Sequence, residues 1–377
     1  MDRIETDVLV IGGGLHGLSA ALQIARRGKK VVLLERAHIG RHASGASAAG
    51  VRTLGRHFED LDLSLEAKRY WSDMPALVGD DCGFHAHGQL RVAETSAGLP
   101  SLERRIRQMH DLGYRHEVLI GPEEIARIVP AMKREVTAAI WVADDGAADP
   151  HRTLKAFFNA AAASGVKILE REGVQAIERA GNDWLAVART VRVLAHSIVN
   201  AAGAWSHQIA AMVGDHFELG TKASMMIVTE RIEPFVAPVV SAVGRTLSFK
   251  QSDRGTLVIG GGLQGRYALD REWTEPSFAV LADGAKAACE LFPGLEQLRI
   301  NRVWSGLEAK TPDLLPVIDL SPTAPDVAHV FGFSGHGFQL VPAAGFAVAD
   351  LVIDGKTPRA ISGLKATRFA DQAKAAE

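Results

Sequence analysis

The sequence predicts an α/β fold, α+β in overall make-up: one domain on a parallel sheet with crossover helices, and a second on an antiparallel sheet. Three observations predict it. A buried-strand run, Thr6 to Ile11, leads directly into Gly12-Gly13-Gly14-Leu15-His16-Gly17, followed by a helical stripe and a second apolar run. Strand-like and helical patterns then alternate along the chain with no internal repeat and no low-complexity linker. Strand-like runs also cluster at Gln89 to Ala93 with Ala139 to Val142, and again from Met225 to Val258, where successive runs suit antiparallel pairing.

The first unit is of the Rossmann type. Leu15, Leu18, Ala21, Leu22 and Ala25 form a helical stripe that stops at Gly28, and Val31 to Leu34 forms a second parallel strand ending at Glu35. Gly12 makes the tight turn, Gly14 leaves bare backbone for phosphates, and Gly17 lets helix and strand pack closely. The helix N-terminus offers unpaired N–H groups to an anion. Glu35 can accept hydrogen bonds from a ribose diol, and its charge disfavours a 2′-phosphate, so FAD or NAD is expected rather than NADP. The competing reading is a purely structural glycine turn.

At 377 residues and 47% hydrophobic content, the chain is long enough for two domains with substantial cores. A net charge of −2 and a pI near 6.7 provide no field for nucleic acid or an anionic membrane, and Arg104, Arg105 and Arg107 read as one solvated helix face. Cys82 and Cys289 are far apart without metal-ligand spacing, so neither a disulfide framework nor a metal site is expected. No leader pattern precedes the first strand and no apolar stretch approaches the roughly 18 residues that span a bilayer. A cytoplasmic protein is expected.

Helices are expected at 61–78, 99–112, 122–129, 150–164, 204–213, 276–290 and 342–353. Because nucleotide-type segments recur after residue 150 and near the C-terminus, the first domain is expected to be discontinuous, comprising 1–80, 145–215 and 305–377. The second takes 81–144 and 216–304. Ser197 to Ser206 reads as a strand entering small residues and then a helix, suited to a large planar ligand or to an ordinary turn. Val330 to Phe333 reads as a buried strand, Ser334 to Gly337 as a loop with free backbone, and Pro342 as the first residue of a helix. Such a loop and helix end favour negative charge at the N1–C2=O edge of a flavin, whereas a nicotinamide has no such need. His336 is either a flavin contact or a structural histidine between glycines.

Together these motifs resemble the glycine oxidase, sarcosine oxidase and D-amino-acid oxidase superfamily of FAD enzymes over nearly the full length. The segments that carry the resemblance are Gly12 to Glu35, Arg41 to Ser47, Arg171 to Val174, Asn200 to Trp205, Arg302 to Leu307 with Thr311-Pro312-Asp313, and Gly332 to Phe338. The resemblance implies that Gly12, Gly14, Gly17, Glu35 and Arg36 hold the ADP half of noncovalent FAD. It places Ser44, Gly45 and Ser47 beside the pyrophosphate and flavin, Val174 at the adenine, and Ala202 and Gly203 on the second flavin-side strand. Gly335, Gly337, Phe338 and Gln339 fall in the loop at the flavin pyrimidine edge. The tail looks most like sarcosine oxidase β subunits and related proline, D-hydroxyproline and opine dehydrogenases; Ala46 to Arg52 with Gly88 to Val92 looks closest to the D-hydroxyproline type.

Two departures stand out. Where monomeric sarcosine oxidases carry a lysine after the GHGF segment, this chain has Gln339; a second lysine, associated with oxygen activation, aligns with Val258, with Lys250 as a displaced equivalent. The resemblance therefore implies oxidation of a secondary or D-amino acid to the imine, in a dehydrogenase complex where this chain is the β component and other flavin or iron–sulfur subunits accompany it. Arg52 is the first choice for the substrate carboxylate, with Arg56, Arg266 and Arg302 as alternatives. His336, Gln339 and His57 are further candidates at the reacting end. A noncatalytic flavin-binding subunit and an NAD-linked dehydrogenase are the competing readings.

Overall fold

The computed structural model of the chain describes residues 2–133 and 135–369. Residue 134 and the ends of the expected outer segments, residue 1 and 370–377, lie outside the described residues. Two eight-stranded sheets organise the fold. In the first, β1 (Asp2–Ile11) is central, with Val8 to Ile11 all buried. It pairs in parallel with β2 (Val31–Leu34) on one side and Val191–Asn200 on the other. Lys167–Leu169 and Val327–Phe331 extend the two edges in parallel, and Val317–Leu320 closes one edge antiparallel.

The register ends three strands level: Ile11 lies beside both Leu34 and Asn200, so Gly12, Glu35 and Ala201 leave the sheet side by side. A crevice at the carboxyl ends of parallel strands is the usual place for a ligand. Helix α1 (Leu15–Arg26) packs on this sheet against the C-terminal helix Gly337–Asp354. The helices touch through small residues. Ser19 Oγ donates to the Val341 carbonyl at 2.9 Å, and a Cβ added at Gly345 would lie 2.1 Å from that oxygen.

The second sheet runs in the order Ile300–Lys310, Gly220–Arg231, Thr256–Gly260, Ser248–Gln251, Val239–Ala242, Gln89–Ala93, Ala138–Val142, Val118–Ile120. Seven strand pairs make an eight-stranded sheet, and six of these are antiparallel; Val239–Ala242 and Gln89–Ala93 pair in parallel, so the expected antiparallel sheet is mixed at one joint. That joint splices two distant chain segments, and their entry directions, rather than a hairpin, set its sense. The core of this sheet centres on Phe249, Phe292, Ile227 and Leu257.

Four expectations are corrected. The helix expected over 61–78 is two helices, α2 (Phe58–Trp71) and Met74–Val78, because Asp73 caps the second by accepting from Ala76 N–H and Pro75 restarts the helix in its first turn. The last helix begins at Gly337, so Pro342 lies inside it rather than at its first position. There Pro342 removes the hydrogen bond that its own N–H would have given, and its ring crowds the carbonyl one turn back. That helix also spans 18 residues with mean hydropathy 1.4, enough by length and composition to cross a bilayer, against the expectation that no stretch comes near; 67% of that window is buried inside the protein as core. Arg105 turns inward from its helix, making a bidentate contact at 2.8 and 2.9 Å with the buried Glu117 rather than joining a solvated face.

Candidate active site

The crevice widens into a cleft of about 1440 Å³, open solvent at its mouth included. Its floor is the N-terminus of α1. Gly12 adopts φ +113°, and a Cβ there would lie 2.3 Å from the Ala201 carbonyl oxygen; at Gly17 a Cβ would lie 2.0 Å from the Gly12 carbonyl oxygen. Only glycine permits this approach of two strands and a helix end. Gly14, the N-cap, makes no side-chain cap, and the first turn of α1 holds no acid, so that turn sets no charge of its own against an anion. Ser44 Oγ accepts from Leu15 N–H at 2.9 Å, tying the segment after β2 to this turn.

Glu35 holds the rim. Its two oxygens accept from Gly13 N–H and Ala37 N–H, both at 2.7 Å, leaving acceptor capacity for a diol. Arg36 lies 4.0 Å from the Trp205 ring centroid and is paired with Glu272 at 3.0 Å. Glu272 comes from the turn between Arg266–Ala268 and Trp273–Glu275, and it also approaches Arg41 and His42 at 3.8 and 3.7 Å, so this hairpin reaches over the cleft. Val174, Ala202, Gly203, Ser47, Gly335, Gly337 and Phe338 also line the cleft; Gly45 does not, being folded against the Gly40 carbonyl.

A dinucleotide fits these walls. The residues present form a glycine cradle that side chains would fill, a helix N-terminus with no acid in its first turn and a carboxylate at the strand end. His16 adds a buried, unpartnered Nδ1 on the lining; its ring stacks on Phe333 at 3.6 Å, and burial pushes it down to about 3, so it stays neutral.

Beside the C-terminal helix start lies a polar cluster. Arg56, 1% exposed, donates to the carbonyls of Arg52 and His336 at 3.1 and 3.0 Å, bonds Gln339 Oε1, and sits 3.5 Å from Asp60. Gln339 is equally buried: Ser64 Oγ donates to its Oε1 at 2.6 Å, and its Nε2 donates to the Ser64 carbonyl at 2.5 Å. Its side chain therefore joins α2 to the C-terminal helix and does not line the cleft.

Arg52 differs. Its guanidinium donates to the Leu54 carbonyl and forms no ion pair within 4 Å among the described residues, while the neighbouring Asp145 is committed to Thr53, Leu54 and Lys68. Burial, with Arg56 close by, pushes Arg52 down to about 10, so it remains a cation with donors to spare. His336 caps the C-terminal helix without a side-chain cap bond; burial, then Arg52, Arg56, Lys222 and His57, hold its imidazole well below the usual range and neutral. Of the alternative cations, Arg266 pairs with Glu275 on an exposed hairpin and Arg302 lies exposed over Trp304, so neither joins this cluster. His57 is exposed at the start of α2. Val258 and Lys250 are cross-strand partners, and Lys250 Nζ donates to the Ala148 carbonyl at 3.3 Å, away from the cleft lining.

Several residues escaped sequence reasoning. Asn200 Nδ2 donates to the Ser206 carbonyl at 2.9 Å and lies 3.2 Å from His329 Nδ1, while His329 Nε2 lies 2.7 Å from Asp215; this buried chain braces the strands behind the Ala201–Ala204 wall of the cleft. Glu308 lines the cleft, Lys222 is its partner on the neighbouring strand and Ser224 donates to it. The alternation Lys222, Ser224 is visible in sequence, but their pairing with Glu308 depends on register between segments some 80 residues apart.

The protein-family model described as FAD dependent oxidoreductase matches residues 7–351. The chain is 28% identical to a subunit of the opine oxidase of Agrobacterium tumefaciens (strain Ach5) over 97% of this chain and 98% of that protein. It is 26% identical to glycine oxidase of Bacillus subtilis (strain 168) over 92% and 93%. The solved L-proline dehydrogenase from P. horikoshii superposes with a TM-score of 0.90 at 27% identity, covering 98% of this chain and 99% of that one.

Proposed function

The chain belongs to the family of FAD-dependent oxidoreductases, and from that premise we propose that it oxidises the C–N bond of a secondary or D-amino acid to the imine. The substrate is of the D-hydroxyproline, D-proline, sarcosine or opine type, and the chain is the catalytic β subunit of a cytoplasmic dehydrogenase complex. The cofactor domain takes 1–80, 145–215 and 305–377, the substrate domain 81–144 and 216–304. The observation that carries this reading is Arg52, a half-buried guanidinium without an ion pair among the described residues, beside a neutral His336 at the start of the helix whose first residues line the cleft.

FAD, when bound, accepts the α-hydrogen with its electron pair. The protein's part is positioning and charge. Arg52 offers the substrate carboxylate a two-pronged cation, which fixes the α-carbon. Gln339 and Arg56 are positioning residues that hold the Arg52 and His336 backbone through the bonds described above. His336, kept neutral by burial and then by its cationic surroundings, can accept a hydrogen bond from the amine without placing positive charge beside it, and the amine's proton goes to solvent rather than to the imidazole. The amine lone pair is then free to form the C=N bond, and water hydrolyses an open-chain imine. Gly12, Gly14, Gly17, Glu35, Arg36, Ser44, Ser47, Val174, Ala202, Gly203, Gly335, Gly337 and Phe338 would hold the cofactor, with Gly45 shaping the turn behind Ser44.

Neither Val258 nor Lys250 lines the cleft, so that strand pair does not bring the lysine associated with oxygen activation to it, which supports transfer to another protein of the complex rather than to oxygen. The subunit designation in the name of the opine oxidase relative supports the same reading. The test is anaerobic: purified flavoprotein is mixed with cis-4-hydroxy-D-proline, D-proline, sarcosine and an opine. Bleaching of the flavin band, followed by reoxidation faster with an artificial acceptor than with oxygen, is expected; a spectrum unmoved by the whole panel overturns the substrate class. A noncatalytic flavin-binding subunit is the second reading, favoured by Gln339 and Val258 standing where lysines were sought; unchanged bleaching kinetics in Arg52→Ala would support it.

A further inference from the structure

We propose that Glu308 is the subsite for a cationic group that the substrate carries outside its reacting C–N bond. The substrate is then an amino acid with a second, positively charged nitrogen, a guanidinium or an ammonium. This rests on the C–N oxidation reading above and narrows its substrate class.

Glu308 lies in the strand Ile300–Lys310 and lines the cleft between Leu307 and Ala309. Its Oε2 accepts from Ser224 Oγ at 3.1 Å, and the Gly335 backbone N–H also serves it. No cation touches it. Lys222 is its direct cross-strand partner, yet that ammonium reaches the Ser334 carbonyl at 3.3 Å instead, and no ion pair to Glu308 falls within 4 Å among the described residues. Burial pushes its carboxyl up, the mark of a charge taken from water without full compensation. The loop Ser334 to Gly337 is therefore flanked by a cation with spare donors, Arg52, and by an anion with spare acceptors.

The reacting nitrogen does not suit Glu308. That nitrogen must be unprotonated before its α-hydrogen leaves with an electron pair, and an adjacent carboxylate stabilises the protonated form. A group whose charge takes no part in the reaction has no such conflict, and it supplies the missing counter-charge. The carboxylate lines the open cleft, and Gly335 beside it carries no side chain to block approach.

The experiment uses the FAD-loaded protein and two near-isosteric probes, α-N-methylarginine and α-N-methylcitrulline, each as both enantiomers, with sarcosine and D-proline as uncharged references. The wild type should favour the arginine derivative by about 30-fold or more in kcat/KM, the size expected for a desolvated charge pair. In Glu308→Gln the ratio should fall toward one, chiefly through KM. A wild-type ratio near one, or a ratio that survives Glu308→Gln, overturns the proposal. Should the variant lose its flavin spectrum, the wild-type ratio alone decides. Bleaching by sarcosine or D-proline without preference for the charged probe sinks only the Glu308 subsite; no bleaching by any compound sinks the C–N oxidation reading and the subsite with it.

Discussion

The glycine cradle at the cleft and the polar groups proposed for the substrate, of which Glu308 lines the same cleft, are built from different material. The cradle is mostly backbone: Gly12, Gly14 and Gly17 lie within six consecutive residues, and Glu35 follows one strand later. The proposed substrate end is mostly side chain: Arg52, Arg56, Ser64, His336 and Gln339 come from the region of α2 and the start of the last helix, and Lys222 and Glu308 from two paired strands of the second sheet. A backbone site tolerates almost no change of shape but is indifferent to most chemistry. A side-chain site can be re-specified one residue at a time, which is how one fold serves many substrates.

Substitution in the cradle should have the largest effect and break the comparison if it does not. Gly12→Val forces a branched residue into φ +113° and into the Ala201 carbonyl. With strain of about 1–3 kcal/mol plus the clash, the purified protein should lose its flavin absorbance and bind added FAD about 100-fold or more weakly. Retained yellow protein would show that the turn is not the phosphate cradle. Arg52→Ala should do the reverse, leaving FAD bound while lowering kcat/KM by about 30-fold or more, from 2–5 kcal/mol for a lost buried charge contact. Stopped-flow flavin reduction measures it; loss of FAD instead would merge the two regions.

Gln339→Leu sharpens the line between positioning and contact. It strands Arg56 and Ser64, each at about 1–3 kcal/mol, so the melting temperature should drop with the flavin still bound. Gln339→Glu keeps the acceptor for Arg56 and Ser64 and should restore part of the stability and activity; stability restored with activity still lost would argue for a direct role in chemistry.

The brace under the cradle gives a pH signature. Burial alone would raise Asp215, but hydrogen bonds from His329, Ser321 and Thr323 outweigh it and hold the carboxyl below its usual 3.8. A depressed folded value means stability present above the unfolded value and lost as pH falls through the folded one. Asp215→Asn should therefore destabilise the protein near neutrality and flatten the acid limb below about pH 4, read by thermal melts across pH. An unchanged slope would remove the charge from the brace. The smallest effect belongs to the hairpin over the cleft. Glu272→Gln weakens contacts to Arg36, Arg41 and His42; at about 0.3–1 kcal/mol, FAD should dissociate about two to five times faster at low salt and alike at high salt. A difference that persists in high salt would mean that Glu272 acts through shape rather than charge.

The nucleotide unit was readable because helix, strand and turn propensities act between neighbours in sequence, and Val8 to Ile11, the glycines and Val31 to Leu34 all point one way. The restart at Asp73 and the early beginning of the last helix at Gly337 were not, since apolar periodicity runs through both and only local capping decides where a helix starts. The inward turn of Arg105 required Glu117, which arrives from beyond the end of the same helix. Likewise, nothing in the run Arg302 to Thr311 tells that Glu308 faces Lys222.

By itself the sequence determined the parallel unit, its glycine turn and the acid at the end of the second strand, because backbone conformation and strand period are properties of adjacent residues. Tertiary structure alone decided which cations stay unpaired, that Gln339 is spent on holding two helices together, and that Glu308 stands uncompensated at the cleft. Those outcomes depend on which distant groups come within hydrogen-bonding reach and on how much water is excluded around them. Both are set by strand register and packing between segments that the chain brings together only once it has folded.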